Sequence, residues 1–105
     1  MKLKILSYEF EVTFEKGFWD NRNKNNPGEL TGLLSMRHNQ ITIDDDNPRK
    51  QETLLHEILH AVAHFWVVDL EEKDVERLSE GLYHVLRENG MLNNFGGKEN
   101  DKEKD

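Results

Sequence analysis

Residues 47–66 read NPRKQETLLHEILHAVAHFW, and their periodicity decides the fold. Leu55, Ile58, Leu59, Val62, Phe65 and Trp66 recur at the three- and four-residue steps of a single helical stripe. Asn47-Pro48 is a helix start, with Asn as N-cap and Pro at the first helical position, where its missing N–H costs nothing. Inside this helix His56-Glu57-Ile58-Leu59-His60 spell HExxH. Histidines at i and i+4 share one face, about 6 Å apart, close enough to grip one tetrahedral zinc ion. They lie on the flank of the apolar stripe, where a metal at the rim of a cleft would be held. Glu57, next to the first histidine, can reach a metal-activated water as general base. Five letters are a short motif, so the neighbourhood must supply a third ligand and its support.

Upstream, Leu3 and Ile5 alternate with lysines, and Phe10, Val12 and Phe14 alternate with polar residues, which predicts a strand pair turning near Ser7 and Tyr8. Lys16 to Glu29 is Asn-rich with Gly and Pro, and reads as a long loop. Phe18 and Trp19 within it read as core-packed loop aromatics, with an anchor or a lid over a cleft as the other option. A second hairpin spans Leu30 to Ile43, turning at Arg37 to Gln40. Downstream, Val67-Val68 breaks the helical pattern, and Asp69 with Glu72 reads as a capping box. Val75, Leu78, Leu82, Val85 and Leu86 then mark the apolar face of a second helix, which Gly90 stops. The expected fold class is α+β: a small antiparallel sheet of two hairpins packed on an antiparallel helical hairpin.

Composition narrows the function. The 105 residues make one domain, expected over 1–92, followed by a polar tail at 93–105 that is disordered or folded back into a cleft. With no cysteine, a metal must be held by histidine and carboxylate. A net charge of −7 argues against nucleic acid as partner, and no apolar run approaches a membrane span. The start of the chain lacks the apolar core of a signal peptide, so the expected location is the cytoplasm.

A tight connection of two or three residues makes the two helices antiparallel, and residues equidistant from the turn then lie level. With the turn centred on Val68, His60 falls level with Glu76, His56 with Glu80 and His64 with Glu72. Glu76 is therefore the expected third ligand, and Glu80 the outer acceptor that orients the His56 ring. Glu72 has a sufficient explanation as a cap partner. His64 lies a further turn along and, like His38 and His84, reads as a surface histidine.

HEILH followed by Glu76-Arg77-Leu78-Ser79-Glu80 resembles the gluzincin pattern, in which a Glu ligand precedes an acid that supports the first zinc histidine. The longer stretches TLLHEILHAV and VERLSEGLYHVLRENG are similar to small HExxH proteins of phages and prophages, relatives of ImmA/IrrE-type peptidases and minigluzincins. The resemblance implies one zinc ion on His56, His60 and Glu76, with Glu57 as the catalytic base and Glu80 in support. Tyr83, on the flank of Glu76, is the candidate to stabilise the oxyanion. It also implies a protein or peptide substrate, laid along an edge strand of the second hairpin, and a latent state with Met91 to Phe95 in the cleft. The competing expectation is a non-catalytic, zinc-stabilised module that binds protein or regulates a phage function.

Overall fold

A computed structural model of the protein describes residues 1–22 and 30–92. The elements are β1 (Lys2–Ile5), β2 (Tyr8–Glu15), α1 (Phe18–Arg22), β3 (Gly32–Ser35), β4 (Gln40–Asp44), α2 (Lys50–Trp66) and α3 (Glu72–Glu88). The class is α+β. Both predicted hairpins form: β1 pairs antiparallel with β2 (Leu3 opposite Phe10), and β3 antiparallel with β4 (Leu34 opposite Ile41).

The sheet is nevertheless mixed, not purely antiparallel. Its order is β1-β2-β4-β3, and the central pair β2–β4 is parallel, with Val12 opposite Ile41 and Phe14 opposite Ile43. Hairpin signals are local and say nothing about how two hairpins abut. The chain between β2 and β4 passes through α1 and β3, long enough for the crossover that a parallel pair requires.

Alternation places Ile5, Phe10, Val12, Ile41 and Ile43 on one face of the sheet, all fully or nearly fully buried. Leu54 and Ala61 of α2 complete this core, with Ile58, Val62 and Phe65 packed at its edge. Phe65 stacks on Tyr8 with ring centroids 4.7 Å apart, and meets Phe10 edge-on. Asp45, just after β4, bridges Lys16 and Lys50, each at 2.8 Å, and so ties the end of β2 to the start of α2. That start differs by two residues from expectation. Asn47 Oδ1 accepts the Arg49 N–H at 2.9 Å in an Asx turn, and the helix begins at Lys50.

Three more expectations need adjustment. Part of the supposed loop is the short helix α1, from which Phe18 is fully buried while Trp19 stays half-exposed. Residues 23–29 and the tail at 93–105 lie outside the described residues. On α3, only Val75 and Ser79 are buried, whereas Leu78, Leu82 and Val85 are 48%, 41% and 54% exposed. The amphipathic stripe is present but α3 packs on α2, so only one edge of the stripe is covered. Among the described residues, no helix is long and apolar enough to cross a membrane.

Candidate metal centre

The corner between α2 and α3 sets the site. Helix α2 ends with Val67 in the left-handed region (φ 55°, ψ 46°), its N–H bonded to His64 O and the Val68 N–H to Ala63 O. A β-branched residue there is strained, because glycine or asparagine normally fills this C-terminal position. The chain then runs back without helical structure to Glu71, which is extended (φ −79°, ψ 159°) and forms a capping box with Asp74. The Glu71 N–H donates to Asp74 Oδ2 at 3.3 Å. The start of α3 is thus two residues beyond the predicted cap.

This link changes which carboxylate meets the histidines. Extended backbone advances about 3.3 Å per residue against 1.5 Å in a helix. Residues 68–71, non-helical and extended at Glu71, therefore carry the chain further back along α2 than a tight turn would. Glu72, the first residue of α3, arrives at the level of His56 and His60 instead of His64. Its Oε2 lies 2.8 Å from His56 Nε2, and its Oε1 lies 2.9 Å from His60 Nε2. The two ring nitrogens are 3.2 Å from each other. His56, His60 and Glu72 are the His and acidic residues that come together among those described.

Glu76, expected as third ligand, is not in this cluster. It lies one turn further along α3 and lines the adjoining cleft, as does Glu80. No hydrogen bond to a described residue joins Glu80 to His56. Tyr83 sits three turns beyond Glu72, about 16 Å along the helix axis. There its ring lies under the Arg87 guanidinium, 5.4 Å away, and the structure does not bring it to the histidines. His64 is exposed on the far turn, and His38 bonds Ser35 in the β3–β4 turn at 3.0 Å.

The donor set fits zinc. Ligand bonds of about 2.0–2.1 Å in a tetrahedron place donor atoms roughly 3.3 Å apart. The two ring nitrogens, 3.2 Å apart, match that spacing, and one donor atom from each of His56, His60 and Glu72 lies within 4.8 Å of the others, so the group could hold a metal ion.

Glu57 supplies a second observation. It is only 9% exposed, yet it lines a cleft of about 460 Å³ and hydrogen-bonds no other described residue. Burial pushes its carboxyl above the ordinary range; His56 and His60 pull it back in part, and the Glu72 carboxylate adds to the rise. Gly32 at the start of β3 explains the burial. A Cβ there would lie 3.1 Å from Glu57 Oε2 and 2.9 Å from Thr53 Cγ2, so only glycine lets the strand lie this close. Strand β3 is an edge of the sheet, and Thr31 and Gly32 line the same cleft as Glu76 and Glu80.

Two residues here escaped sequence reasoning. Glu72 was hidden by its plausibility as a cap, although the Glu71-Glu72 pair left one acid free for another role. Gly32 carried a readable signal, an isolated glycine in a strand pattern, which marks a close backbone approach. No protein-family model, no curated protein and no solved structure matches the chain.

Proposed function

We propose that this protein is a zinc-dependent metallopeptidase of the gluzincin kind, with His56, His60 and Glu72 as its metal ligands. The observation that carries the proposal is Glu57, a nearly buried carboxylate with no hydrogen-bond partner among the described residues, placed beside a His-His-Glu cluster in a cleft. A structural zinc site has no use for such a group, whereas peptide hydrolysis needs a base there.

A zinc ion at this site supplies Lewis acidity, acidifying water and polarising a carbonyl. The protein's own residues do the rest. His56 and His60 present Nε2 from successive turns of a buried helix, and Glu72 closes the set from α3. Glu57, next to His56 and lining the cleft, takes a proton from the attacking water and delivers it to the leaving amine. The free edge of β3 holds the substrate extended by strand addition. Of the segment expected in the cleft, Met91 is exposed and Leu92 is buried, neither is among the described residues that line the cleft, and residues 93–95 lie outside the described residues.

The test is metal content together with turnover. Purified protein should bind zinc at one ion per chain. Glu72→Ala and His60→Ala should lose it, while Glu76→Ala should retain it. Glu57→Gln should keep the zinc and abolish peptide cleavage. Absence of stoichiometric zinc would sink the proposal. The second reading, a zinc-stabilised binding module, is favoured by the exposed stripe of Leu78, Leu82 and Val85. It would hold if zinc binds as described but a broad peptide mixture is left intact.

A further inference from the structure

We infer that the cleft selects an extended peptide bearing a lysine or arginine side chain, which Glu76 and Glu80 receive. The inference rests on the metallopeptidase reading and adds the substrate class to it. Glu76 and Glu80 stand one helical turn apart on α3, both exposed and both lining the cleft. Like charges at this spacing weaken a helix, so the pair has no value for the stability of α3. Neither carboxylate has an ion pair or hydrogen bond with a described residue.

Among the described residues lining the cleft, the cation is Arg49, and it is already taken. Glu52 holds it with two hydrogen bonds, at 3.0 and 2.7 Å, and Glu80 acts on it only at longer range. Counting charge around a loaded centre sharpens the point. Two positive charges on zinc are balanced by Glu72 and Glu57, and Arg49 is balanced by Glu52. Among the described residues, Glu76 and Glu80 remain as two negative charges of the cleft without an ion-pair partner.

Glu57, nine-tenths buried and without a hydrogen-bond partner among the described residues, is a separate sign that this cleft is built to receive a polar ligand. The same cleft is lined by Thr31 and Gly32 at the start of β3, an edge strand that no described strand pairs on its outer side. A peptide added to that edge turns alternate side chains to opposite sides, and one set faces α3. A neutral or acidic side chain there leaves the two carboxylates unpaired or repelled, so selection operates by rejection as well as attraction.

The experiment profiles cleavage of a mixed peptide library by the zinc-loaded protein, then compares matched peptides with Lys or Gln at the preferred position. The Lys peptide should have a kcat/KM about tenfold higher at low salt, and added salt should erode the difference. The Glu76→Gln/Glu80→Gln double variant, changed only at exposed positions, should lose most of that preference. Equal cleavage of both peptides, or a preference that survives in the double variant, overturns the inference and leaves the metallopeptidase reading standing. If no peptide is cleaved, that reading fails. Binding of the same two peptides to zinc-loaded Glu57→Gln protein, by fluorescence anisotropy, then decides the inference: tighter binding of the Lys peptide upholds it, equal binding overturns it.

Discussion

Helices α2 and α3 have the same length, 17 residues each, and are held in place in opposite ways. Helix α2 lies across the sheet and buries Leu54, Leu55 and Ala61. Helix α3 buries Val75 and Ser79 against α2 and leaves most of its apolar stripe in water. The candidate centre divides along the same line. The pair of histidines and the base sit on the rigid helix, and the third ligand sits on the first turn of the loose one. In such a division α2 holds the histidines and the base, and the 67–71 link delivers Glu72 to them. Mutation should expose the contrast first. Leu54→Ala removes a fully buried side chain and should cost about 2–5 kcal/mol, whereas Leu82→Ala should stay within about 0.5 kcal/mol. Chemical denaturation measures both, and equal losses would mean that α3 is as deeply packed as α2.

If Glu72 docks α3 through the metal, zinc should act as a staple on that helix. At a zinc concentration a hundredfold above Kd, the gain in stability is about 2.7 kcal/mol. Amide exchange after chelation should accelerate in α3 much more than in α2. Uniform acceleration across both helices would show that the metal stabilises the whole domain and not the α2–α3 contact.

Glu57 belongs to the rigid half but weakens it. Because its native pKa is raised, the native state holds a proton that the unfolded chain releases. Stability of the metal-free protein therefore falls as pH climbs above the ordinary glutamate value of about 4.3. Glu57→Gln removes that slope and should stabilise the metal-free protein at pH 7 by about 1 kcal/mol. Thermal melts across pH 4–8 check it. A variant with the wild-type slope would place the carboxylate in water.

The same contrast explains what could be read from the sequence. The stripe of α2 and the shared face of His56, Glu57 and His60 follow from helical period alone, because tertiary structure cannot move i and i+4 apart. The alternation of Leu3, Phe10, Val12, Ile41 and Ile43 likewise marks both hairpins. What failed depends on non-local geometry. Hairpin patterns do not reveal that β2 and β4 run parallel. The stripe Val75–Leu78–Leu82–Val85 shows which face of α3 is apolar, but not whether anything covers it. The level of α3 depends on how far residues 67–71 travel, and Val67 gives no hint of a left-handed turn. Counting evenly outward from a tight turn of two or three residues at Val68 sets Glu76 level with His60, where Glu72 stands.

That corner yields the smallest and most specific test. Val67 is 90% exposed, so replacing it forfeits almost no burial. Glycine at φ 55° relieves a strain of about 1–2 kcal/mol, against about 0.4–1 kcal/mol of added freedom in the unfolded chain. Val67→Gly should therefore gain roughly 0.5–1 kcal/mol with zinc affinity unchanged, since the turn it favours is the one that delivers Glu72. Val67→Pro forbids the positive φ and removes the N–H donated to His64 O, so it should lower zinc affinity although residue 67 touches no ligand. Calorimetric zinc titration separates the two. If the proline variant binds zinc as well as wild type, the corner is not what sets the level of α3, and the loose helix finds its register through the metal alone.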